Sequence, residues 1–434
     1  MEMATKIIKR RERDEKRTPR DAFFRIFFAI LSILALTAFL RQAISEYYSQ
    51  DLSGLNEEKI SRASLITGED ARYYYLLGFL HYAAQDGPDL NKAIKYYLLS
   101  LTRNPTDGQV WLALARAYRD GGMMAQAERA IRKSVYLDKN NPPMTWEAGV
   151  FFLSQNELSD AIQALRRYIY MVPADQENVY SLCFTLGVAP EIMVKDLVPA
   201  DYGFYKRYLT FVMSNKLVGA SADAWRMLNK FSTERGDYLQ YCDFLIRAGE
   251  IKEAQSLWED FLKRFNISAK RSADEMLWNG DFELPIENGG FDWKTGSSDG
   301  VRIFIDKDIR WTGFASLSVN FNGKNNPGLY IAQQTVPVGP GRKYRLTGYI
   351  RTQDLTTLNG IVFEVSGLLC DPLMKKAEPV TGTNLWKKIE LEFTTPPKCN
   401  AVSIGIKREQ SDRFDNKISG DAWIDSLSMV PARN

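Results

Sequence analysis

The sequence predicts a multidomain fold of the α-then-β class, in which an apolar helix precedes an array of helix pairs and an antiparallel β-sandwich. Three observations support this prediction: a stretch with one charge at residues 22–40, a 34-residue spacing of small residues between 55 and 268, and short alternating runs over 276–434. A length of 434 residues suits two or three domains. With 45% hydrophobic and 25% charged residues, the chain as a whole is neither disordered nor collagen-like.

The charge surplus lies at the amino end. Residues 1–21 form a basic tail with eight basic and five acidic side chains, which accounts for the whole net charge of +3. The rest of the chain is balanced and lacks the net basic face that nucleic-acid binding needs. We therefore expect no nucleic-acid partner.

Residues 22–40 predict a transmembrane anchor, because 19 helical residues span about 28 Å. Arg25 is the single charge and lies near enough to the end to reach the headgroups. The basic tail precedes the span and only Arg41 follows it directly, so the positive-inside rule predicts a single-pass protein of a bacterial inner membrane, with a cytoplasmic amino end and a periplasmic body. The competing interpretations are a cleaved signal peptide, although the apolar core is long for one, and a buried soluble helix.

Helical periodicity runs from residue 55 to 268, with small residues at regular positions. One set recurs with a 34-residue period that becomes irregular at its last member: Ala93, Ala127, Ala161 and Ala254. A second set lies twelve positions before three of these alanines: Ala115, Gly149 and Cys242. Two antiparallel helices approach closely only where small side chains lie between them, so the pattern predicts helix pairs. Weaker pairs are expected over 179–199 and 202–231.

This pattern resembles the tetratricopeptide repeat. That family places a small residue midway along the first helix of a unit, an alanine early in the second, and a proline at the end, as at Pro105 and Pro173 here. The resemblance implies stacked units whose concave surface binds a protein partner. The tryptophans of the array are interpreted as packing between helices, and His81 as a surface or core residue.

From residue 276 the pattern changes to short alternating runs separated by Gly, Pro, Asn and Asp. Eight strands are predicted, at 301–306, 315–321, 328–336, 343–351, 361–366, 387–394, 401–407 and 420–429. Within the fourth, Leu346 and Ile350 would face the core while Arg345 and Arg351 face outward. Without helical patterns between them, these strands predict an antiparallel sandwich.

The sandwich resembles the jelly-roll carbohydrate-binding modules of the galactose-binding-domain-like class. The likeness rests on the order of Asn279-Gly280-Asp281-Phe282-Glu283, the segment 344–352, Trp386 and the closing segment 422–429. It implies a sugar site made of an aromatic platform and planar polar side chains. The candidates for this site are Trp293, Trp311, Tyr330, Tyr349, Arg351, Glu364 and Arg408. Trp386 and Trp423 are expected in the core.

The same resemblance implies a structural calcium ion, with Glu283 and Asp425 as ligands, and no other cofactor is expected. One ligand of the usual closing pair is missing, because Ser426 follows Asp425. Cys370 and Cys399 share the predicted sandwich and can form a disulfide in an oxidising compartment.

No phosphate-binding, metalloprotease or nucleophile-elbow motif occurs, and a single histidine excludes chemistry that needs two. We therefore expect a protein that is not an enzyme. The leading hypothesis is a membrane-anchored scaffold that binds a protein partner through its repeats and a glycan through its sandwich, in envelope polysaccharide synthesis or export. The alternative is a purely structural assembly protein whose sandwich mediates protein–protein packing and binds no sugar.

Overall fold

The computed structural model describes residues 19–50, 57–60, 70–268, 272–370 and 372–432. Most of the predicted basic tail, residues 1–18, lies outside the described residues. The chain divides into two compact units, Met1–Val188 and Ala189–Asn434.

Helix α1, Pro19–Gln50, is the first helix of the described residues and belongs to the first unit. Its side chains from position 26 to 40 are exposed, including ten large apolar ones. Ser32 and Thr37 donate their hydroxyl hydrogens to the helix carbonyls of Phe28 and Leu34, at 2.8 and 2.9 Å. Among the described residues, no helix combines the length and hydropathy that crossing a membrane requires.

Seven further helices of this unit lie between residues 71 and 185: α2 Ala71–Tyr82, α3 Leu90–Arg103, α4 Gly108–Asp120, α5 Met124–Leu137, α6 Pro142–Ser154, α7 Leu158–Met171 and α8 Gln176–Thr185. Their starts follow from local sequence, since Asp107 and Asn141 accept backbone N–H bonds of the first turns of α4 and α6. A Cβ on Gly149 would lie 2.6 Å from Leu165, so α6 and α7 need glycine where they cross. The alanines at 93, 127 and 161 are fully buried, which confirms the predicted helix pairs.

The second unit begins with a short turn, Pro190–Ile192, and a π-helical segment, Met193–Leu197. Four helices follow: α9 Tyr202–Ser214, α10 Val218–Leu228, α11 Arg235–Ala248 and α12 Ile251–Arg264. The weak prediction of a pair over 202–231 corresponds to α9 and α10. The other weak prediction, over 179–199, contains part of α8 followed by the turn and the π-helical segment, which do not form a second regular helix.

The β-sandwich of this unit has two five-stranded antiparallel sheets. Sheet I has the order β1-β4-β9-β6-β7 and sheet II the order β2-β3-β10-β5-β8. The strands are β1 Lys294–Thr295, β2 Val301–Asp306, β3 Ser316–Asn322, β4 Leu329–Pro337, β5 Lys343–Leu355, β6 Ile361–Gly367, β7 Met374–Lys376, β8 Gly382–Thr394, β9 Ala401–Arg408 and β10 Ser419–Pro431. All eight predicted strands are present, and β1 and β7 are additional short edges.

The sandwich core lies between the two sheets. Leu346 and Ile350 of β5 are buried in it together with Val319 and Ile404, whereas Arg345 is exposed, as the alternation predicts. Burial of these apolar faces is the main force that holds the two sheets together.

The last helix pair packs directly on the sandwich within this unit. The Trp258 ring meets the Trp278 ring edge-on at 5.8 Å, and a Cβ on Gly290 would lie 2.7 Å from Trp258. Asp243 Oδ1 accepts bonds from the Gly290 N–H and the Lys294 ammonium, both at 2.8 Å. Aromatic packing and charge-assisted bonds therefore join α11 and α12 to the sandwich.

Candidate functional site

The outer face of sheet II carries a row of planar polar side chains. The strand register places Arg302 of β2, Asn320 of β3, Asp421 of β10 and Gln353 of β5 side by side. Asn320 Nδ2 donates to Asp421 Oδ1 at 2.7 Å. Because neighbouring strands lie about 4.8 Å apart, this row crosses roughly 14 Å of the sheet.

An aromatic row runs parallel to it, two residues further along the strands. Phe304, Ser318, Trp423 and Arg351 are register neighbours there, and the Arg351 guanidinium lies over the Trp423 ring at 5.6 Å. Trp423 Nε1 donates to Asp306 Oδ2 at 2.8 Å, which fixes the orientation of the indole ring. Trp423 is buried, but on the outer side of the sheet and not in the core between the sheets.

The most exposed platform of this face is Trp311, with 43% of its surface accessible. Its ring stacks on Tyr349 of β5 at 4.5 Å and 17° between planes, and lies 6.1 Å from Trp386 of β8. We call the five rings Phe304, Trp311, Tyr349, Trp386 and Trp423, together with Arg351 and the polar row, the aromatic face.

Two carboxylates hold the loop that carries Trp311. Asp425 Oδ2 accepts the backbone N–H groups of Trp311 and Thr312 at 2.7 and 3.0 Å. Glu283 Oε1 accepts those of Phe314 and Ala315 at 2.6 and 3.2 Å. Burial raises the pKa of Asp425 above its usual value, although these hydrogen bonds oppose the shift. The two predicted calcium ligands thus converge on one loop.

These two carboxylates alone do not complete a calcium site. Calcium takes six to eight oxygen ligands, and the described residues contain no group of three His, Cys, Asp or Glu side chains able to hold a metal. One oxygen of each carboxylate already accepts two N–H bonds. Through these bonds Glu283 and Asp425 clamp the loop, and the calcium ion stays a prediction.

The arrangement suits a ligand with both apolar faces and hydroxyl groups. Aromatic rings cover C–H surfaces, while guanidinium, amide and carboxylate groups bind pairs of hydroxyls in a planar fork. Three of the seven residues predicted for a sugar site lie together here: Trp311, Tyr349 and Arg351.

Two predicted sugar-site residues are fully buried, so their side chains are not accessible to a ligand. Trp293 lies in the core, and its Nε1 donates to the Asn279 carbonyl at 2.9 Å. Arg408 donates to Asn326 Oδ1 at 2.6 Å and to the Asn416 carbonyl at 3.1 Å, which ties two loops together.

The remaining two, Tyr330 and Glu364, lie on the outer face of sheet I, across the sandwich from the aromatic face. Tyr330 donates its hydroxyl hydrogen to Glu364, whose carboxylate also pairs with Lys407 at 3.2 Å and Lys376 at 3.4 Å. Burial favours a raised pKa for Glu364, but the bonds from Tyr330 and Lys407 outweigh it and lower the pKa. The polar groups of this cluster bond to one another, so among these described residues no row of acceptors stays available to a ligand.

Sequence reasoning missed most of the aromatic face: Arg302, Phe304, Asn320, Gln353, Trp386, Asp421 and Trp423. Five of them sit at outward positions of predicted strands, whereas Gln353 and Trp386 lie just outside the predicted bounds 343–351 and 387–394. The cross-strand register, which the sequence does not show, aligns the row. Trp386 and Trp423 are on the outer side, contrary to the expectation that they belong to the core.

The helix pairs offer a second kind of surface. In the first unit, Tyr82 donates to Asp120 at 2.6 Å and Arg116 donates to Glu147 at 2.7 Å, which links the first helices of three successive pairs. In the second unit, α9 and α11 line a groove of about 730 Å³ that contains Met213, Phe244 and Arg247. Both surfaces combine polar and aromatic side chains and suit an extended segment of another protein.

Two of the four cysteines form a disulfide bond, and the other two are free thiols. Cys370 and Cys399 form a disulfide bond with Cα atoms 5.2 Å apart, as the sequence allowed. Cys183 and Cys242 are free and buried, and burial raises the pKa of both thiols to about 12, so neither is a reactive thiolate.

One comparison with known families identifies a helix pair of the first unit. Residues 108–141, which span α4 and α5, match the family model of the tetratricopeptide repeat. No curated protein matches the chain. The match at 108–141 confirms the resemblance of the helix pairs to tetratricopeptide repeats.

Solved structures resemble separate parts of the chain. A family 16 carbohydrate-binding module is 19% identical and covers 36% of this chain and 99% of that one, with a TM-score of 0.26. The CBM22-1 xylan-binding domain of Paenibacillus barcinonensis is 15% identical (38% and 99% covered, TM-score 0.25). The tetratricopeptide-repeat domain of Arabidopsis OM64 is 19% identical (27% and 94% covered, TM-score 0.25). These likenesses do not show what this protein binds.

Proposed function

We propose that this chain is a membrane-anchored, non-catalytic scaffold that binds a glycan on the aromatic face and a protein partner on its helix pairs. The observation that carries the proposal is the aromatic face itself. A platform of stacked rings beside a row of planar polar groups is the chemistry that sugar rings require, and Arg302, Gln353 and Arg351 have no hydrogen bond or ion pair to another side chain in the described part of the chain.

The glycan part is tested by calorimetric titration of the full chain in detergent with xylan, β-glucan, mannan and polygalacturonate. We expect binding to at least one polymer, and a loss of about tenfold or more in affinity in Trp311→Ala and Trp386→Ala. Tyr330→Phe on the opposite face is the matched control and should bind normally. Absence of heat with every polymer, or equal affinity in all variants, would contradict the proposal.

A location outside the cytosol is supported by two independent features. The stretch 22–40 follows a basic tail, and its two central hydroxyl side chains are satisfied by their own helix. The Cys370–Cys399 disulfide is typical of an oxidising compartment such as the periplasm. An alkaline phosphatase fused to the carboxyl end should be active in a bacterial host, and a fluorescent cytosolic reporter at the same place should stay dark.

The protein-partner part is supported by the match at 108–141 and by the polar and aromatic surface of the first helices. A photo-crosslinking residue at position 82 or 116 should capture a discrete partner in cells, and one at the exposed position 136 should capture less. A role in envelope polysaccharide synthesis or export follows if the captured protein acts on such polymers.

A second candidate function is structural assembly without sugar binding. The packing of Trp258 on Trp278 and the Asp243–Lys294 pair favour it, because they show a sandwich already used as a protein-packing surface. The same titration separates the two, since a purely structural sandwich releases no heat with any polymer.

A further inference from the structure

Strand β8 is a long sheet edge. It has 13 residues, lies at the border of sheet II, and in the described part of the chain it is paired only with β5. The other three edges are short, because β1, β7 and β2 have two, three and six residues. An unpaired edge presents a row of free N–H and C=O groups that can accept another strand.

The carboxyl-terminal part of this edge is regular. From Lys387 to Thr394 the pairing with β5 runs without a bulge, so the free side of the strand is equally regular. Lys388, Glu390 and Glu392 are exposed on the outer side. Leu385, just before this regular stretch, is 83% exposed.

The charges along β8 are self-complementary. Directly opposed residues of an antiparallel pair must lie on the same face, so a two-fold axis at Ile389 would place Lys388 opposite Glu390 of a second copy, twice. An axis at Glu390 would place Lys388 opposite Glu392 twice but would also oppose the two Glu390 carboxylates, and an axis at Lys388 would oppose two ammonium groups. Only the axis at Ile389 brings opposite charges together without also opposing like charges.

Charges on edge strands usually discourage pairing. A strand protected only against association needs charges of one sign, which repel in every register. Strand β8 carries both signs, two residues apart, and this order opposes like charges in the neighbouring registers and only opposite charges in the one centred at Ile389.

We propose that β8 pairs antiparallel with β8 of a second copy of this chain, about a two-fold axis at Ile389. The resulting homodimer has one continuous ten-stranded sheet. Because the axis is perpendicular to the sheet, both aromatic faces point to the same side. If those faces bind glycan, as proposed above, one long polymer can contact both copies and gain avidity.

The first test is charge reversal, with the mass of the full chain in detergent measured by sedimentation over a concentration series. Lys388→Glu and Glu390→Lys should each weaken dimerisation by about tenfold or more, because each opposes like charges. The double reversal should restore it. Lys324→Glu, an exposed position in the β3–β4 loop, is the control and should leave the dimer intact. A monomer at every concentration, or a dimer insensitive to both single reversals, overturns the proposal.

The second test fixes the register by oxidative cross-linking. Protein carrying Lys388→Cys mixed with protein carrying Glu390→Cys should form a linked dimer, and each alone should link far less, because identical positions are not directly opposed. The native free cysteines are buried and give little background. Equal linking in the mixed and unmixed samples would overturn the register. Neither test involves sugar, so the dimer can be tested even if the protein binds no glycan.

Discussion

The two outer faces of the sandwich contain similar residue types but differ in how fully those residues satisfy one another. On sheet I, Tyr330, Glu364, Lys407 and Lys376 form a closed cluster in which the buried carboxylate accepts or pairs with three neighbours. On sheet II, the aromatic face keeps its guanidinium groups stacked on rings. A tyrosine, an arginine or a glutamate thus indicates a binding site only where its polar atoms remain available.

The largest expected effect would come from breaking the closed cluster. Glu364→Ala leaves two lysines and a tyrosine without their buried acceptor, so the free energy of unfolding should fall by about 3 kcal/mol. Chemical denaturation measures this, and glycan affinity should be unchanged in the folded protein. Glu378→Ala, an exposed carboxylate in the loop between β7 and β8, is the control and should have little effect. Equal stability of Glu364→Ala and the wild type would show that the two faces do not differ in this way.

The disulfide at the end of sheet I should contribute almost as much to the free energy of unfolding as Glu364 does. Replacing Cys370 and Cys399 by alanine removes a cross-link between residues 29 apart, which should lower the free energy of unfolding by about 2–4 kcal/mol. A reductant should cause a similar loss of stability in the wild type and no further loss in the variant. If reductant destabilises both proteins equally, the bond does not account for the loss.

The comparison of the two outer faces also shows which features of the sandwich the sequence could predict and which it could not. Period-two alternation identified all eight main strands and placed Leu346 inside and Arg345 outside, because burial alone decides those positions. It could not align residues of different strands, since register depends on bulges such as the one between Ile350 and Thr352. Trp293 and Trp311 are the same residue type in loop-rich sequence, yet one is buried and one exposed, and the difference arises from long-range packing.

A smaller effect should appear when the loop clamp of the aromatic face is weakened. Asp425→Asn keeps the shape of the side chain but loses charge-assisted acceptance of the Trp311 and Thr312 N–H groups. We expect a several-fold loss of glycan affinity, equivalent to about 1 kcal/mol, with a change in Trp311 fluorescence and little loss of stability. Added calcium or a chelator should leave the wild-type melting temperature unchanged. A strong calcium-dependent rise would contradict the clamp role.

The smallest effect would be a difference in pH dependence between the two faces. Hydrogen bonds hold the pKa of Glu364 below its ordinary 4.5, so its contribution is present at higher pH and is lost as pH falls through the lowered value. Burial holds the pKa of Asp425 above its ordinary 3.8, so its contribution is present at lower pH and is lost as pH rises through the raised value. Melting temperatures across the acid range should therefore show a flatter acid limb in Glu364→Gln, whereas Asp425→Asn should lose less stability as pH rises from about 4 toward neutrality. If both substitutions altered the same limb, the two carboxylates would share one electrostatic role, and the distinction between a closed structural cluster and an open binding face would no longer hold.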